Sequence, residues 1–455
     1  MKHLQLIQIL ALMLLAPITE GREAAAHPVL DLTHHPIAIL CLGLFAFAYV
    51  LVMMEEVLGL RKSKPILLVA AIIWVLISIL DRSLDIPQVQ VNKLLRADLV
   101  EYAELFLFLL VSTTYVNVLD ERNVFRVLCL WLARRNLSYR RLFWVMGIVT
   151  FLLSTIVNNL TTVLIVSTVV MMIGRDNPRF ITLTCLTAVI ASNAGGAFSP
   201  FGDITTLMVW QDDKVNFDQF FPLFLPALAN FLIPALCIYL AIPKGTPPLA
   251  KASNLKVKRG SWFILALFLL SICIAIVFEQ FLDLPPYLGM MMGLSLLMIY
   301  AYHLERRRKE ECFDLFHQVR DVEWDTLLFF FGVVFAVGGL RYLGYLSLAS
   351  HAIYENLGPS SANIIVGVMS AIVDNVPVML AVLHMDPEMD LFQWQLVTLT
   401  AGVGGSLLAV GSAAGVAMLG QAREYYTSLS HLRWAPVILL GYIASIAIHF
   451  WLNGP

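Results

Sequence analysis

Ser154-Thr155-Ile156-Val157-Asn158-Asn159 and Ser370-Ala371-Ile372-Val373-Asp374-Asn375 are two versions of one phrase. Each lies inside an apolar run, the first within residues 142–173 and the second within 361–385. The first run is too long for one membrane helix, which needs about 20 residues, and short for two full crossings. In a straight span its central amides would face lipid. A re-entrant hairpin removes the conflict. Two short helices enter and leave on one side, and the non-helical tip sits inside protein or beside a water-filled cavity. Residues 361–385 are short enough for a single span, but Pro377 and the charge on Asp374 favour a break there as well.

The flanks of the phrase repeat too. Glu101-Tyr102-Ala103-Glu104-Leu105 stands over Glu323-Trp324-Asp325-Thr326-Leu327 ahead of the two hairpins. Behind each hairpin comes a Gly-rich polar interruption, SNAGGAFSPFGDITT at Ser192–Thr206 and GGSLLAVGSAAG at Gly404–Gly415. Three matches in one order describe an internal repeat. The first unit covers residues 36–242, with its hairpin at 142–173 and a broken helix at 180–210. The second covers 261–452, with its hairpin at 361–385 and a broken helix at 393–421. A basic linker, 243–260, joins them.

Composition agrees with a chain built for lipid. Apolar residues make up 59% and charged residues 14% of the 455 positions, and mean hydropathy is +0.80. A soluble domain has about 25% charged residues, so a soluble enzyme, a disordered chain and a nucleic-acid binder are excluded. The six cysteines are scattered, with no metal-ligand or disulfide spacing. Residues 1–26 have the basic start, short apolar core and small-residue end (Ala24-Ala25-Ala26) of a secretory signal. A short first transmembrane helix is the alternative.

Charge then orients the spans. With both hairpins taken as re-entrant and the mature N-terminus outside, 23 basic residues fall in inside loops and 5 in outside loops. The acidic loops 211–219 and 384–393 fall outside. The first hairpin opens inward and the second outward, so the repeats are inverted. The expected fold is an all-α polytopic membrane protein with about ten spanning helices and two re-entrant hairpins. Paired interrupted helices in inverted repeats point to a secondary transporter.

The polar residues gathered at the interruptions are Asn158, Asn159, Asn193, Asp203, Thr205, Thr206, Ser370, Asp374, Asn375 and Ser412, with Ser199 and Ser406 beside them. A carboxylate at mid-membrane costs about 2.5–3.5 kcal/mol on insertion scales. It persists where it is paired, hydrated or binding something. Two carboxylates among neutral oxygens suit a hard cation. An anion would sooner select Arg and helix N-termini, and the nearest cationic side chain by sequence is Arg341. Asp203 and Asp374 are therefore the expected ligands for a hard alkali cation. A buried carboxyl also takes up a proton, so the two ions would compete for one site. Several other polar groups have plainer readings. Ser112, Thr113 and Asn117 read as interhelical hydrogen-bonding residues, Asp325 as a ligand or a solvated helix start, and His351 and His384 as solvated histidines near the outer surface. Val124–Ala133 and Tyr345–Leu357 read as amphipathic pieces at the interface.

These motifs (VNNLTT at Val157–Thr162, the Ser192–Thr206 stretch, VDNVP at Val373–Pro377 and VGSAAGVA at Val410–Ala417) resemble those of the NhaD-type sodium/proton antiporters of the ion transporter superfamily. The resemblance runs from about residue 36 to the end. It implies an elevator-like fold, usually as a homodimer in a bacterial inner membrane, that exchanges external H⁺ for internal Na⁺ or Li⁺ without a cofactor. It implies a functional set of Asn159, Asn193, Asp203, Thr205, Thr206, Asp325, Ser370, Asp374, Asn375 and Ser412. Some members carry an acid where this chain has Asn158, which removes one titratable group, and Glu104 is a candidate to compensate. Two rivals remain at this point. One is a related permease for arsenite or a di- or tricarboxylate, which the repulsion from Asp203 and Asp374 disfavours for carboxylates. The other is an intramembrane aspartyl protease, disfavoured because Pro200 interrupts a GxGD-like Pro200-Phe201-Gly202-Asp203.

Overall fold

The computed structural model describes residues 31–84, 89–133, 137–247, 256–307 and 315–454. The expected signal segment and part of the 243–260 linker lie outside them. Among the described residues there are helices and no strands.

Helices α1 (Pro36–Met53), α2 (Ser63–Ser83) and α3 (Val89–Glu121) lead to the short α4 (Val124–Ala133). Then come α5 (Tyr139–Leu153) and α6 (Asn159–Ile173), α7 (Pro178–Gly196) and α8 (Ile204–Gln211), and α9 (Phe224–Ala241). The second series follows the same order: α10 (Ser261–Leu282), α11 (Pro286–Arg307), α12 (Trp324–Tyr342) and the short α13 (Tyr345–Ser350). It continues with α14 (Pro359–Val373) and α15 (Asn375–Met385), α16 (Leu391–Gly404) and α17 (Ala413–Gln421), and α18 (Ala435–Asn453). Seven helical stretches are long and apolar enough to cross a membrane. The longest described helix, α3, has 33 residues; of the broken-helix halves, α8, α16 and α17 are shorter than a span, and α7, at 19 residues, is long enough but carries polar residues at both ends. The chain is thus a multi-pass helical membrane protein.

Corresponding helices make corresponding contacts. α1 packs on α2 as α10 packs on α11; α5 lies along α7 as α14 lies along α16; and the last helices, α9 and α18, pack on each other. The second arm of each hairpin crosses over, α6 onto α17 and α15 onto α8. Two glycines show why the first arms come so close. A Cβ on Gly195 would stand 2.1 Å from the Phe151 carbonyl oxygen, and one on Gly404 would stand 2.0 Å from the Gly367 carbonyl oxygen. Beside them the Ser154 hydroxyl donates to the Ser192 carbonyl at 2.7 Å, and the Ser370 hydroxyl to the Ala401 carbonyl at 3.0 Å. Ser154, Gly195, Ser370 and Gly404 are thus two copies of one joint, and each buried serine supplies a partner to a carbonyl of the neighbouring helix. The first halves of the broken helices, α7 and α16, are buried along almost their whole length.

Candidate ion site

Four half-helices begin at one place, and each has a polar residue as its N-cap. Asn158 caps α6, Asp203 caps α8, Asp374 caps α15 and Ser412 caps α17. The local reason is the same throughout. A helix start leaves backbone N–H groups without partners, and a short oxygen-bearing side chain accepts from them. Asn158 accepts from the Thr161 N–H at 2.8 Å, Asp374 from the Asn375 N–H at 2.8 Å and Ser412 from the Gly415 N–H at 3.3 Å. Asp203 and Ser412 occupy equivalent places behind Gly202 and Gly411, with nearly the same backbone (φ −138°, ψ 151° against φ −148°, ψ 152°). Asn158 and Asp374 are likewise equivalent. Of the four caps, each helical series therefore has one acid, Asp203 before α8 in the first and Asp374 before α15 in the second.

The side chains form a single buried network. Asp203 Oδ2 accepts from the amide groups of Asn159 at 3.1 Å and Asn375 at 2.9 Å, one from each hairpin. The Asn159 amide also donates to Asn193 Oδ1 at 3.2 Å, and Asn193 donates to the hydroxyls of Ser406 at 2.9 Å and Ser412 at 2.8 Å. Thr206 donates to the Ser199 and Asp203 carbonyls. The buried Thr205 hydroxyl has no hydrogen-bond partner. A cavity of about 30 Å³, the space of one water, is lined by Asn158, Asn159, Thr113, Ile204, Glu323 and Ala413. Four N-terminal helix dipoles aimed inward offset part of the cost of keeping carboxylates here.

Asp374 alone separates α14 from α15. Its backbone sits at φ +76°, ψ +141°, a conformation that costs a non-glycine residue about 1–3 kcal/mol and persists where the surroundings enforce it. Its Oδ2 lies 3.9 Å from the Lys62 ammonium, which also rests over the Phe329 ring at 4.6 Å. This corrects the expectation that Arg341 is the nearest cation. Arg341 instead faces Asp98, at 3.8 Å. Sequence could not supply the Lys62 pairing, because Lys62 is one of three basic residues in an ordinary loop.

Asp325 is not part of the amide network. Its Oδ1 accepts from the Ser63 hydroxyl, next to Lys62, so it belongs to the edge where α2 and α12 meet the second hairpin. Glu104 lines a larger cavity of about 880 Å³ together with Asp213, Asp218, Glu279 and Asp283. His351 is exposed as expected, paired with Glu355. His384 is not; its side chain is 4% exposed and its Nε2 lies 3.0 Å from Glu101 Oε2. His431, absent from the expected set, is fully buried between the Tyr426 hydroxyl and the Ser406 carbonyl, and so anchors the loop that carries Ser406. A histidine in a short helix between longer segments carries no sequence signal for such a role.

Comparison with known proteins finds similarity to transporters. A family model described as "Citrate transporter" matches residues 34–404. The Na⁺/H⁺ antiporter NhaD of Alkalimonas amylolytica is 50% identical, over 100% of this chain and 98% of its own length. The Na⁺/H⁺ antiporter NhaD of Vibrio cholerae is 48% identical, over 98% of each chain. Sodium/proton antiporter 1 of Arabidopsis thaliana is 32% identical, over 89% of this chain and 71% of its own.

Proposed function

The chain belongs to the NhaD-type sodium/proton antiporter family, and from that premise we propose that it exports Na⁺ or Li⁺ in exchange for H⁺ by alternating access. The protein is a transporter of a bacterial-type inner membrane, serves pH and sodium homeostasis, and works as a homodimer. The observation that carries the reading is the Asp203 carboxylate, 3% exposed and held between one asparagine from each hairpin. An asparagine side chain offers either an N–H donor or a carbonyl acceptor. Without Na⁺, the amide groups of Asn159 and Asn375 satisfy Asp203. With Na⁺ present, the same side chains turn their oxygens to the ion, joined by the Thr205 hydroxyl and the Asp203 carboxylate. Protonation of Asp203 removes the charge that Na⁺ needs.

Asp374 supplies the second carboxylate, and Lys62 is its counter-ion when no Na⁺ is bound. Asn158, Asn193, Thr206, Ser370 and Ser412 shape and support the site. Asp325 acts at its edge rather than as a direct ligand. The acidic cavity around Glu104 concentrates cations near one mouth of the pathway. A carboxylate substrate, as the citrate-transporter description of the family model would suggest, fits less well, because two acids face the site.

The direct test is exchange by purified protein in proteoliposomes holding a pH-sensitive dye, with Na⁺, Li⁺, K⁺ and citrate offered in turn. Na⁺ and Li⁺ should dissipate the pH gradient; dissipation by citrate alone would overturn the proposal. Competition adds a sharper expectation. As pH rises the proton leaves and Na⁺ enters more readily, so the apparent KM for Na⁺ should fall several-fold across the active range while the maximal rate changes less. A KM that stays constant over that range would mean that the two ions do not share a site.

Inverted repeats also imply sidedness. Arg175 lies in the exposed flank of the first hairpin and Glu388 in that of the second. In a background without the six native cysteines, Arg175→Cys should react with an impermeant maleimide from the cytoplasmic face only and Glu388→Cys from the outer face only. Labelling of both from one face would rule out the inverted arrangement.

A further inference from the structure

We propose that Asp98, Glu101 and His384 form a regulatory site for a divalent transition-metal ion, distinct from the transport site. Asp98 and Glu101 lie one turn apart on α3, and His384 is at the end of α15, the second arm of the second hairpin. One ligand atom from each lies within 4.8 Å of the other two. Two carboxylates and an imidazole are a donor set for zinc and its first-row neighbours, whereas Na⁺ and Mg²⁺ prefer oxygen alone.

Asp98 separates this group from an ordinary surface cluster. It is 1% exposed, and neither carboxylate oxygen has a hydrogen-bond partner. Its described ion pair is the long one to Arg341 at 3.8 Å. Its Oδ2 is pressed against Gly338, where a Cβ would stand 1.9 Å away, so α12 was left without a side chain at that point. A buried carboxylate without hydrogen bonds is costly unless something else compensates it. His384 Nδ1 is also buried without a hydrogen-bond partner. Glu101 is 41% exposed at its side chain, which gives an ion a way in from water. The neighbouring ammonium of Lys214 is taken up by Asp386 at 2.6 Å and Asp212 at 3.8 Å rather than by this group.

The ligands come from two bodies that exchange by alternating access would move apart, α3 and the second hairpin. A metal ion bound to all three pins the hairpin to α3. Because loops 211–219 and 384–393 lie outside on the expected topology, the metal would arrive from the outer side and slow transport without touching Asp203. This inhibitory consequence rests on the antiporter reading, whereas metal binding itself does not.

The test is isothermal titration of purified full-length protein with Zn²⁺, paired with thermal melting in detergent. Wild type should bind one Zn²⁺ per chain and melt at a higher temperature when it is bound. Glu101→Gln and His384→Gln should each weaken binding at least tenfold and lose the thermal shift, and Mg²⁺ should produce neither effect. Glu101→Gln, at a half-exposed position, keeps the test valid if His384→Gln misfolds. Absence of a stoichiometric Zn²⁺ site, or a Zn²⁺ affinity unchanged in Glu101→Gln, would overturn the proposal. Added Zn²⁺ outside proteoliposomes should also inhibit wild-type exchange at least tenfold more potently than it inhibits Glu101→Gln. Equal inhibition of the two would overturn the pinning role.

Discussion

Asp203→Asn should lower Na⁺-dependent proton exchange by at least a hundredfold while the protein still inserts and folds. The two side chains have nearly the same shape, and asparagine is as good an N-cap as aspartate, so α8 keeps its start. What disappears is the charge. Asp203 lies in a network of neutral amides and hydroxyls, and apart from Asp374 that network holds no other carboxylate to attract Na⁺ or carry H⁺. The amide can still meet Asn159 and Asn375 by turning one of their carbonyls toward it, which is why folding should survive. Ser412 offers a contrast. It occupies the equivalent cap in the second repeat but bears no charge, so Ser412→Ala should slow exchange far less than Asp203→Asn. The measurement is dye-monitored exchange in proteoliposomes, normalised to the amount of monodisperse protein reconstituted. Exchange by Asp203→Asn within threefold of wild type would remove Asp203 from the ion pathway.

Gly195→Leu should prevent accumulation of folded protein. Gly195 meets the backbone of α5 at Phe151, and a Cβ there would overlap a carbonyl oxygen that no rotamer change can move. Small residues let membrane helices approach closely, and that approach is a main source of their association. Overpacking alone costs roughly 1–3 kcal/mol. Separating α5 from α7 would also cost the hydrogen bond from Ser154 to Ser192 and displace the hairpin whose tip carries Asn158 and Asn159. Gly43→Leu is the control, because nothing lies within 4 Å of a Cβ built at Gly43 on α1. The yield of monodisperse protein after detergent extraction should fall at least fivefold for Gly195→Leu and stay near wild type for Gly43→Leu. Equal yields would show that the close approach is not needed for folding.

The amino-acid sequence by itself determined where helices start, stop and break. Those features are local. Apolar runs set the spans, Pro, Gly and Asn or Asp in mid-run mark interruptions, and an oxygen-bearing side chain at each interruption caps the helix that follows. Repetition of the phrase around Asn159 and Asn375 therefore marked the expected repeat and singled out most of the polar residues that the structure joins in one network, because all four helix starts carry the same local requirement. Only the tertiary structure decided which charges meet. Lys62 reaches Asp374 across more than three hundred residues, Asp325 turns to Ser63, His384 is drawn from the solvent onto Glu101, and Asp98 is enclosed against Gly338. Nothing near these residues in the chain distinguishes them from others in polar segments at helix ends. Their partners lie on helices that come together only when the two repeats pack, and a charge takes its role from what lies within a few ångströms of it in the folded protein, where low dielectric makes each pairing count.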